Sequence, residues 1–488
     1  MIRRIGGWLP LLTAAVFAGL GLGAFLTPAR LGLSLGILPM DSAGYGAIRG
    51  DLGAFFLGIA ALSLLGMRAN RQTLLNVPIA LLCVVVGGRI IAEFANGHSA
   101  ANLRAMSVEL ALLAALIMGR FATRSAAPAR LGRVLLVLGG LLAPALFGLM
   151  WFGKEIGMAV FRRILESAVT QPLLPTLGEG MHAGLCGSGA PLADPGRAGP
   201  CVFVIAGKRI YIVDAGDGTP RRMSLMRVPV GQIEAIFITH FHSDHIGGLG
   251  EMMLQRWTSV GRQQPVDVYG PQGVESVVDG FNRAYQLDGG YRVAHHGPQA
   301  VPPTGRGGTP HPFNIVAGES KAQVILQKDG LTVTAFPVNH APVFPAVGYR
   351  FDYRGRSIVV SGDTAPSESL VANAKGADIL FHEGLQTAMV NAMEEIGTRH
   401  PFGNLAKIAH DIPSYHTSPE AAAREAAQAG VRYLVFYHII PPLPLALFNA
   451  AFLGDSAKYF TGPIVLGHDG TMLSLPPESH TVTIRELL

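Results

Sequence analysis

Thr239-His240-Phe241-His242-Ser243-Asp244-His245 places four metal-ligating side chains within the six positions from His240 to His245. An apolar run, Ala235–Thr239, leads into it and reads as a strand. Side chains alternate along an extended chain, so His240 and His242 face one way and can share one cation. Asp244 and His245, just past the strand end, can turn toward a second. Ile246-Gly247-Gly248-Leu249 lets the backbone bend sharply after them. Core packing does not account for this density of imidazole and carboxylate, which are the donors zinc takes.

Outward from this stretch, short apolar strands are punctuated by Gly and Pro: Cys201–Ile205, Arg209–Val213, Val266–Tyr269, Leu331–Pro337, Ser357–Val360, Ile379–Phe381 and Tyr433–Tyr437. Helical segments lie between several of them. One opens at Thr417-Ser418-Pro419-Glu420, where Thr417 is expected to cap with Glu420 and Pro419 suits the first turn. Gly430 closes it. Strands mixed with helices indicate a layered αβ architecture.

The histidine cluster and its surroundings, over about Gly178–Gly470, resemble the metallo-β-lactamase fold superfamily, which implies an αββα sandwich. Val213-Asp214-Ala215-Gly216-Asp217-Gly218 looks like the family's early strand-turn. Asn339-His340, Ser361-Gly362-Asp363-Thr364 and Tyr437-His438 match its later metal-binding positions. The resemblance implies two Zn²⁺ ions, other divalent metals being possible. His240, His242 and His340 would take the first, Asp244, His245 and His438 the second, and Asp363 would bridge both. Gly184-Leu185-Cys186-Gly187-Ser188-Gly189, Phe381-His382-Glu383-Gly384 and Tyr415-His416-Thr417-Ser418-Pro419-Glu420 look like the transfer-RNA 3′-processing and arylsulfatase-like branch. There His416 would donate a proton or support the site from behind the metals; a hydrogen-bonding histidine at a helix start is the other reading. His382 and Glu383 are expected to stabilise the surroundings. By this ligand set, a metal-bridging hydroxide attacks phosphorus, sulfur or carbonyl, Asp244 orients it, and His416 protonates the leaving group or steadies the oxyanion.

No compact basic, Gly-rich arm for gripping transfer RNA is visible. Instead Tyr285–Gly318, with His295, His296 and His311, reads as a long structureless insertion, and Thr387–Tyr415, with Arg399, His400, Phe402 and His410, as a second insert. Both are candidates for substrate selection. The expectation is a membrane-anchored dinuclear zinc hydrolase acting on a small-molecule ester (phosphodiester, sulfate ester or lactone), with nucleic acid not a partner. An RNA-processing nuclease or phosphodiesterase is the alternative, as is a transport or sensory protein carrying an accessory hydrolase domain.

The whole chain has 488 residues, 49% hydrophobic and only 15% charged, with mean hydropathy +0.35. Soluble globular chains carry about 25% charged residues. Residues 1–160 hold 13 Lys and Arg against five Asp and Glu, a balance of +8, whereas the remainder holds 25 against 28, a balance of −3. A polyanion-binding face is therefore not expected in the second part. Five apolar stretches, Leu9–Leu26, Leu52–Met67, Leu74–Ala95, Ala105–Met118 and Val134–Phe152, read as an all-α transmembrane bundle within residues 1–153. A connector over 154–176, with Phe161, Ile164, Leu165 and Ala168 at helical spacing, reads as an amphipathic helix beside the lipid bilayer, and 177–488 as the hydrolase domain. Arg3, Arg4, Arg68, Arg71, Arg120, Arg124, Arg130 and Arg133 on the cytoplasmic side outnumber Arg30, Arg49 and Arg104 outside, which puts the protein in the inner membrane with a periplasmic catalytic domain. Lys154, Arg162 and Arg163 argue mildly the other way, and an even number of spans would invert the placement.

Arg89 and Glu93 stand at i, i+4 in the third stretch and Glu109 in the fourth; they form a structural ion pair or mark a functional site. Cys186 and Cys201 bracket a Gly- and Pro-rich loop and are expected to form a disulfide, in keeping with an oxidising compartment; two unpaired thiols is the alternative. Cys83 is expected to pack within its helix.

Overall fold

The structure is a computed structural model that describes residues 9–28, 31, 42–68, 71–96, 100–122, 154–155, 157–167, 170, 172–316, 321–400 and 403–488. The chain divides into two units, Met1–Ile156 and Gly157–Leu488.

Among the described residues of the first unit, four helices are long and apolar enough to cross a membrane: Leu9–Leu26, Ile48–Leu65, Gln72–Glu93 and Asn102–Arg120. The second and fourth begin earlier than hydropathy alone indicated, because Arg49 and Arg104 are taken into the helices rather than ending them. The fifth expected stretch, Val134–Phe152, lies outside the described residues. Phe17, Ile59, Leu82 and Leu116 form the buried centre. Arg89 reaches across to the next helix, its Nε donating to both Glu109 carboxylate oxygens at 2.7 Å, while Asn102 bonds Glu93. Arg89 thus has an interhelical ion-pair partner, because Glu109 lies on the facing helix within reach of the guanidinium.

The second unit is built on fifteen described strands. They are β1 (Met181–Gly187), β2 (Cys201–Ala206), β3 (Arg209–Val213), β4 (Ile233–Phe237), β5 (Val266–Pro271), β6 (Gly308–Phe313), β7 (Gln323–Lys328), β8 (Leu331–Pro337), β9 (Val347–Tyr353), β10 (Arg356–Val360), β11 (Ile379–Leu385), β12 (Tyr433–Ile440), β13 (Ile464–Leu466), β14 (Thr471–Leu475) and β15 (Thr483–Glu486). One mixed sheet runs β15-β14-β1-β2-β3-β4-β5-β6 and the other β13-β12-β11-β10-β9-β8-β7. β3 to β6 are parallel neighbours in the first sheet and β10 to β13 in the second.

Alternation explains the layering. Val202 and Val204 of β2 face Ile358 and Val360 of β10 and Phe381 of β11 in the core between the sheets. Phe203 and Ile205 point the other way, against Met223, Leu249 and Met252 of outer helices. Val359 and Leu380 likewise turn outward, onto Ala422 and Ala426 of the helix Pro419–Ala429. Strands buried on both faces need unbroken apolar runs, and these have them. The result is an αββα sandwich of the metallo-β-lactamase type.

Two local expectations need correction. Tyr285–Gly318 is not structureless: it holds the helix Gln286–His296 and strand β6, whose partner is the parallel β5. The Gly-rich composition hid a helix whose Asp288 and Arg292 pair at i, i+4. Likewise Thr387–Tyr415 contains the helices Thr387–Arg399 and Leu405–Asp411. The helix Pro419–Ala429 is capped by Ser418, which accepts from the Ala421 N–H at 3.2 Å, and not by Thr417. The Thr417 hydroxyl is committed elsewhere, donating to the Thr364 carbonyl beside Asp363.

Candidate metal centre

The chemistry-bearing side chains leave the C-terminal ends of the strands, where ligands collect in open αβ sheets. β4 runs into His240 and His242, and the short helix Ser243–Ile246 carries Asp244 and His245. His340 follows β8, Asp363 follows β10, and His438 lies in β12 at φ +46°, a conformation few side chains adopt.

The seven expected ligands converge. One donor atom from each of His240, His242, His340 and Asp363 lies within 4.8 Å of the others, and the same holds for Asp244, His245 and His438. His240 Nε2 is 3.0 Å from His242 Nδ1, and His340 Nε2 is 3.5 Å from that same atom. Asp363 Oδ2 sits between the groups, 3.8 Å from His240 Nε2, 3.3 Å from His245 Nε2 and 3.2 Å from His438 Nε2. Asp244 Oδ2 is 3.5 Å from His245 Nε2 and 3.3 Å from His438 Nε2.

Three of the imidazoles, His240, His245 and His340, are oriented through the far nitrogen. Asp214, at φ +59° after β3, accepts from the Thr239 N–H and hydroxyl at 2.8 Å and meets His245 Nδ1 at 2.9 Å. His240 Nδ1 lies 3.1 Å from Thr239 Oγ1, and His340 Nδ1 2.9 Å from the Tyr415 carbonyl. Such outer partners fix the tautomer and raise the ligand's basicity. Glycine keeps the backbone of the ligand turn close. A Cβ on Gly216 would sit 2.5 Å from the Asp244 carbonyl oxygen, and one on Gly199 3.0 Å from it.

The charges call for a cation. Burial lowers the basicity of His240 strongly, and neighbouring His245 adds to this. Burial also opposes a charged His245, yet Asp363 and Asp214 beside it raise its pKa well above the ordinary value. Burial opposes ionisation of Asp363 too, but the His438 and His245 imidazoles hold its carboxyl well below the usual carboxylate range. His245 Nε2 and Asp363 Oδ1 are buried without a hydrogen-bond partner, an arrangement that a divalent cation satisfies. The residues present therefore fit a metal site.

Behind it, Glu383 is fully buried at the end of β11. Its Oε1 accepts from the Thr417 N–H at 2.7 Å and faces His416 Nδ1 at 3.3 Å. His416 also brings a donor atom within 4.8 Å of Asp363 and His438. His382 points away from the ligands and pairs with Glu425 at 3.2 Å. Three features escaped the sequence reading. Glu425 is one, since only the folded helix brings it to His382. Asp469 is another: it accepts from the Ser188 and Ala198 N–H groups and, with Arg197, fixes the loop between β1 and β2. The third is a cavity of about 690 Å³ adjoining Asp244, bounded by that loop and by Arg221, Arg222 and Leu225. The loop's ends are joined by the Cys186–Cys201 disulfide, with Cα atoms 5.0 Å apart.

Residues 209–439 match the family model of the beta-lactamase superfamily domain. A ribonuclease Z of Mycobacterium avium is 34% identical over 287 residues, 58% of this chain and 95% of that protein. A ribonuclease Z of Mycolicibacterium gilvum is 34% identical over 261 residues, 53% of this chain and 84% of that protein. Among solved structures, human tRNase Z, short form, aligns with 21% identity and TM-score 0.44, over 60% of this chain and 99% of that one. Relatives named for an RNA substrate overturn two expectations, the small-molecule ester and the exclusion of nucleic acid. Those rested on the −3 balance, on the lack of a visible basic arm and on the expected location, none of which reports the donor groups gathered about Asp363.

Proposed function

Because this chain belongs to the beta-lactamase superfamily and, within it, to the ribonuclease Z family, whose members are metal-dependent hydrolases, we propose that it is an RNA-processing phosphodiesterase. The observation that carries the reading is the 34% identity over 95% of a ribonuclease Z. The paired donor groups about Asp363 support it.

We assign His240, His242 and His340 to one divalent cation, Asp244, His245 and His438 to a second, and Asp363 to both, zinc being the ion that suits these donors. Bound there, the cations would activate water and offset the charge of the phosphodiester. Asp244 orients the attacking water, since its carboxylate faces the same space as His245 and His438. Glu383 holds His416 through Nδ1, leaving Nε2 to deliver a proton to the leaving oxygen. Thr417 ties the His416 loop to the Asp363 loop, so donor and reacting phosphate keep one register.

The four apolar helices of the first unit and, by sequence, the stretch Val134–Phe152 are read as five membrane spans, an odd number that puts the catalytic unit on the oxidising side of that membrane. The Cys186–Cys201 disulfide supports this side, because disulfides persist outside the cytoplasm and seldom within it. Its RNA would then be met outside the cytoplasm. Thiol labelling of intact cells with and without reductant, combined with external protease, tests the placement. Free thiols in the native protein and a protected catalytic unit would refute it.

The activity is tested with the purified, zinc-loaded full chain on a 3′-extended transfer-RNA precursor, beside chromogenic phosphodiester, sulfate ester and lactone substrates. Cleavage of the RNA and of the phosphodiester is expected. Turnover of the sulfate ester or the lactone with the RNA left intact would overturn the reading.

A further inference from the structure

The helix over 157–167 leaves its apolar side uncovered. Met158, Phe161, Ile164 and Leu165 are 47%, 56%, 63% and 50% exposed. They recur three and four residues apart and so share one side of the helix. Glu155, Arg162, Arg163 and Glu166 lie off that side. The helix is tied to the catalytic fold at its end: Arg227 Nη2 donates to Ser167 Oγ at 3.2 Å, and the Leu173 N–H donates to the Arg227 carbonyl at 3.0 Å. Leu173, Leu174 and Leu177 then enter the core. Two residues before Arg227, at the tip of the helix Thr219–Leu225, Leu225 is 65% exposed.

We propose that this side of the catalytic unit, the 157–167 helix together with Leu225, rests in the surface of a lipid bilayer. Continuity decides the occupant: in sequence the helix follows an apolar stretch, Val134–Phe152, and four helices able to span a membrane. Charge on the segment is mixed, Lys154, Arg162 and Arg163 against Glu155 and Glu166, so the apolar side chains carry the contact. An interfacial helix lies about 5–10 Å into the headgroup and acyl boundary, so its exposed apolar side chains are covered without a protein partner. The fold adds a consequence. Leu225, Arg221 and Arg222 also line the cavity beside Asp244. Docking through Leu225 therefore brings that cavity to the bilayer surface, and substrate reaches the metal centre along the membrane rather than from bulk solution. The inference rests on reading the first unit as membrane-spanning, and not on the RNA substrate.

The test uses the full chain in nanodiscs of phosphatidylethanolamine and phosphatidylglycerol, carrying single spin labels in a Cys83→Ser background that keeps the disulfide. Labels go on Phe161→Cys, Ile164→Cys, Leu165→Cys and Leu225→Cys, with Glu166→Cys as the water-facing control. Val84→Cys, at a position 73% exposed in a candidate span, is the lipid control. Collision rates with oxygen and with a water-soluble nickel chelate are compared. The four apolar positions are expected to give an oxygen-to-nickel ratio close to that of Val84→Cys and above that of Glu166→Cys. Free nickel access at the four positions overturns the proposal, and so does exclusion of both relaxers, which would signify a protein partner. A water-like ratio at Val84→Cys would instead overturn the membrane reading of the first unit. Ile164→Asp gives a second check: turnover of a soluble phosphodiester should stay unchanged while the Leu225→Cys label gains nickel access, and an unmoved Leu225→Cys ratio counts against joint docking.

Discussion

Asp214 shows how far the metal centre extends beyond its ligands. It touches no proposed metal position, yet it receives both hydrogen bonds of Thr239 and holds His245 by Nδ1. Removing such an outer partner from a metal ligand typically costs about 10–100-fold in affinity or activity. Asp214→Asn is therefore expected to lower zinc affinity by about that factor, read by competition with a chromogenic chelator. Unaltered affinity would show that Asp214 only shapes the turn. The seven converging donor residues were legible because four of them crowd into His240–His245 and the others end recognisable strands. Glu383 and Asp469 were harder to read. Their partners, Thr417 and Ser188, lie 34 and 281 residues away, so no local spacing announces them.

At the scale of elements, β11 and the helix Pro419–Ala429 are joined by the buried His382–Glu425 pair. Burial works against a charged His382, but the hydrogen bond and charge of Glu425 outweigh it, and the imidazole's pKa is raised. A raised folded-state pKa contributes stability that is fully present below the unfolded value of about 6.5 and is lost as pH rises through the folded value. The stability gap between the wild type and His382→Gln should therefore be widest at mildly acid pH and narrow above it, as followed by denaturant unfolding. A gap independent of pH would mean that the pair is not charged. The β1–β2 loop makes a separate case. Closing a loop of about 15 residues contributes about 3 kcal/mol in the chain-entropy model. Cys186→Ser with Cys201→Ser should lower unfolding stability by about that amount, and a loss under about 1 kcal/mol would show that Asp469 and Arg197 hold the loop unaided. Strands buried on both faces were readable as apolar runs. The helix Gln286–His296 was not, because Gly289 and Gly290 interrupt its pattern and an i, i+4 ion pair and the packing of neighbouring elements decide it instead.

Over the whole molecule, composition divides the chain into an apolar, basic first part and a near-neutral, His-rich second part, and the fold divides into the units Met1–Ile156 and Gly157–Leu488. What composition misjudged was the substrate. Net charge averages over a surface, whereas binding an RNA phosphate depends on the few groups around the reacting phosphorus and on the cations held there. The central claim is that paired cations held about Asp363 cleave RNA. It is tested most directly by measuring zinc content and 3′-extended transfer-RNA cleavage on the same preparations of wild type and Asp363→Ala. The account predicts about two zinc ions per wild-type chain and RNA cleavage at a defined position, with Asp363→Ala short of metal and at least about 100-fold slower while its first unit stays folded. Equal cleavage by an Asp363→Ala chain with its full complement of zinc would contradict it.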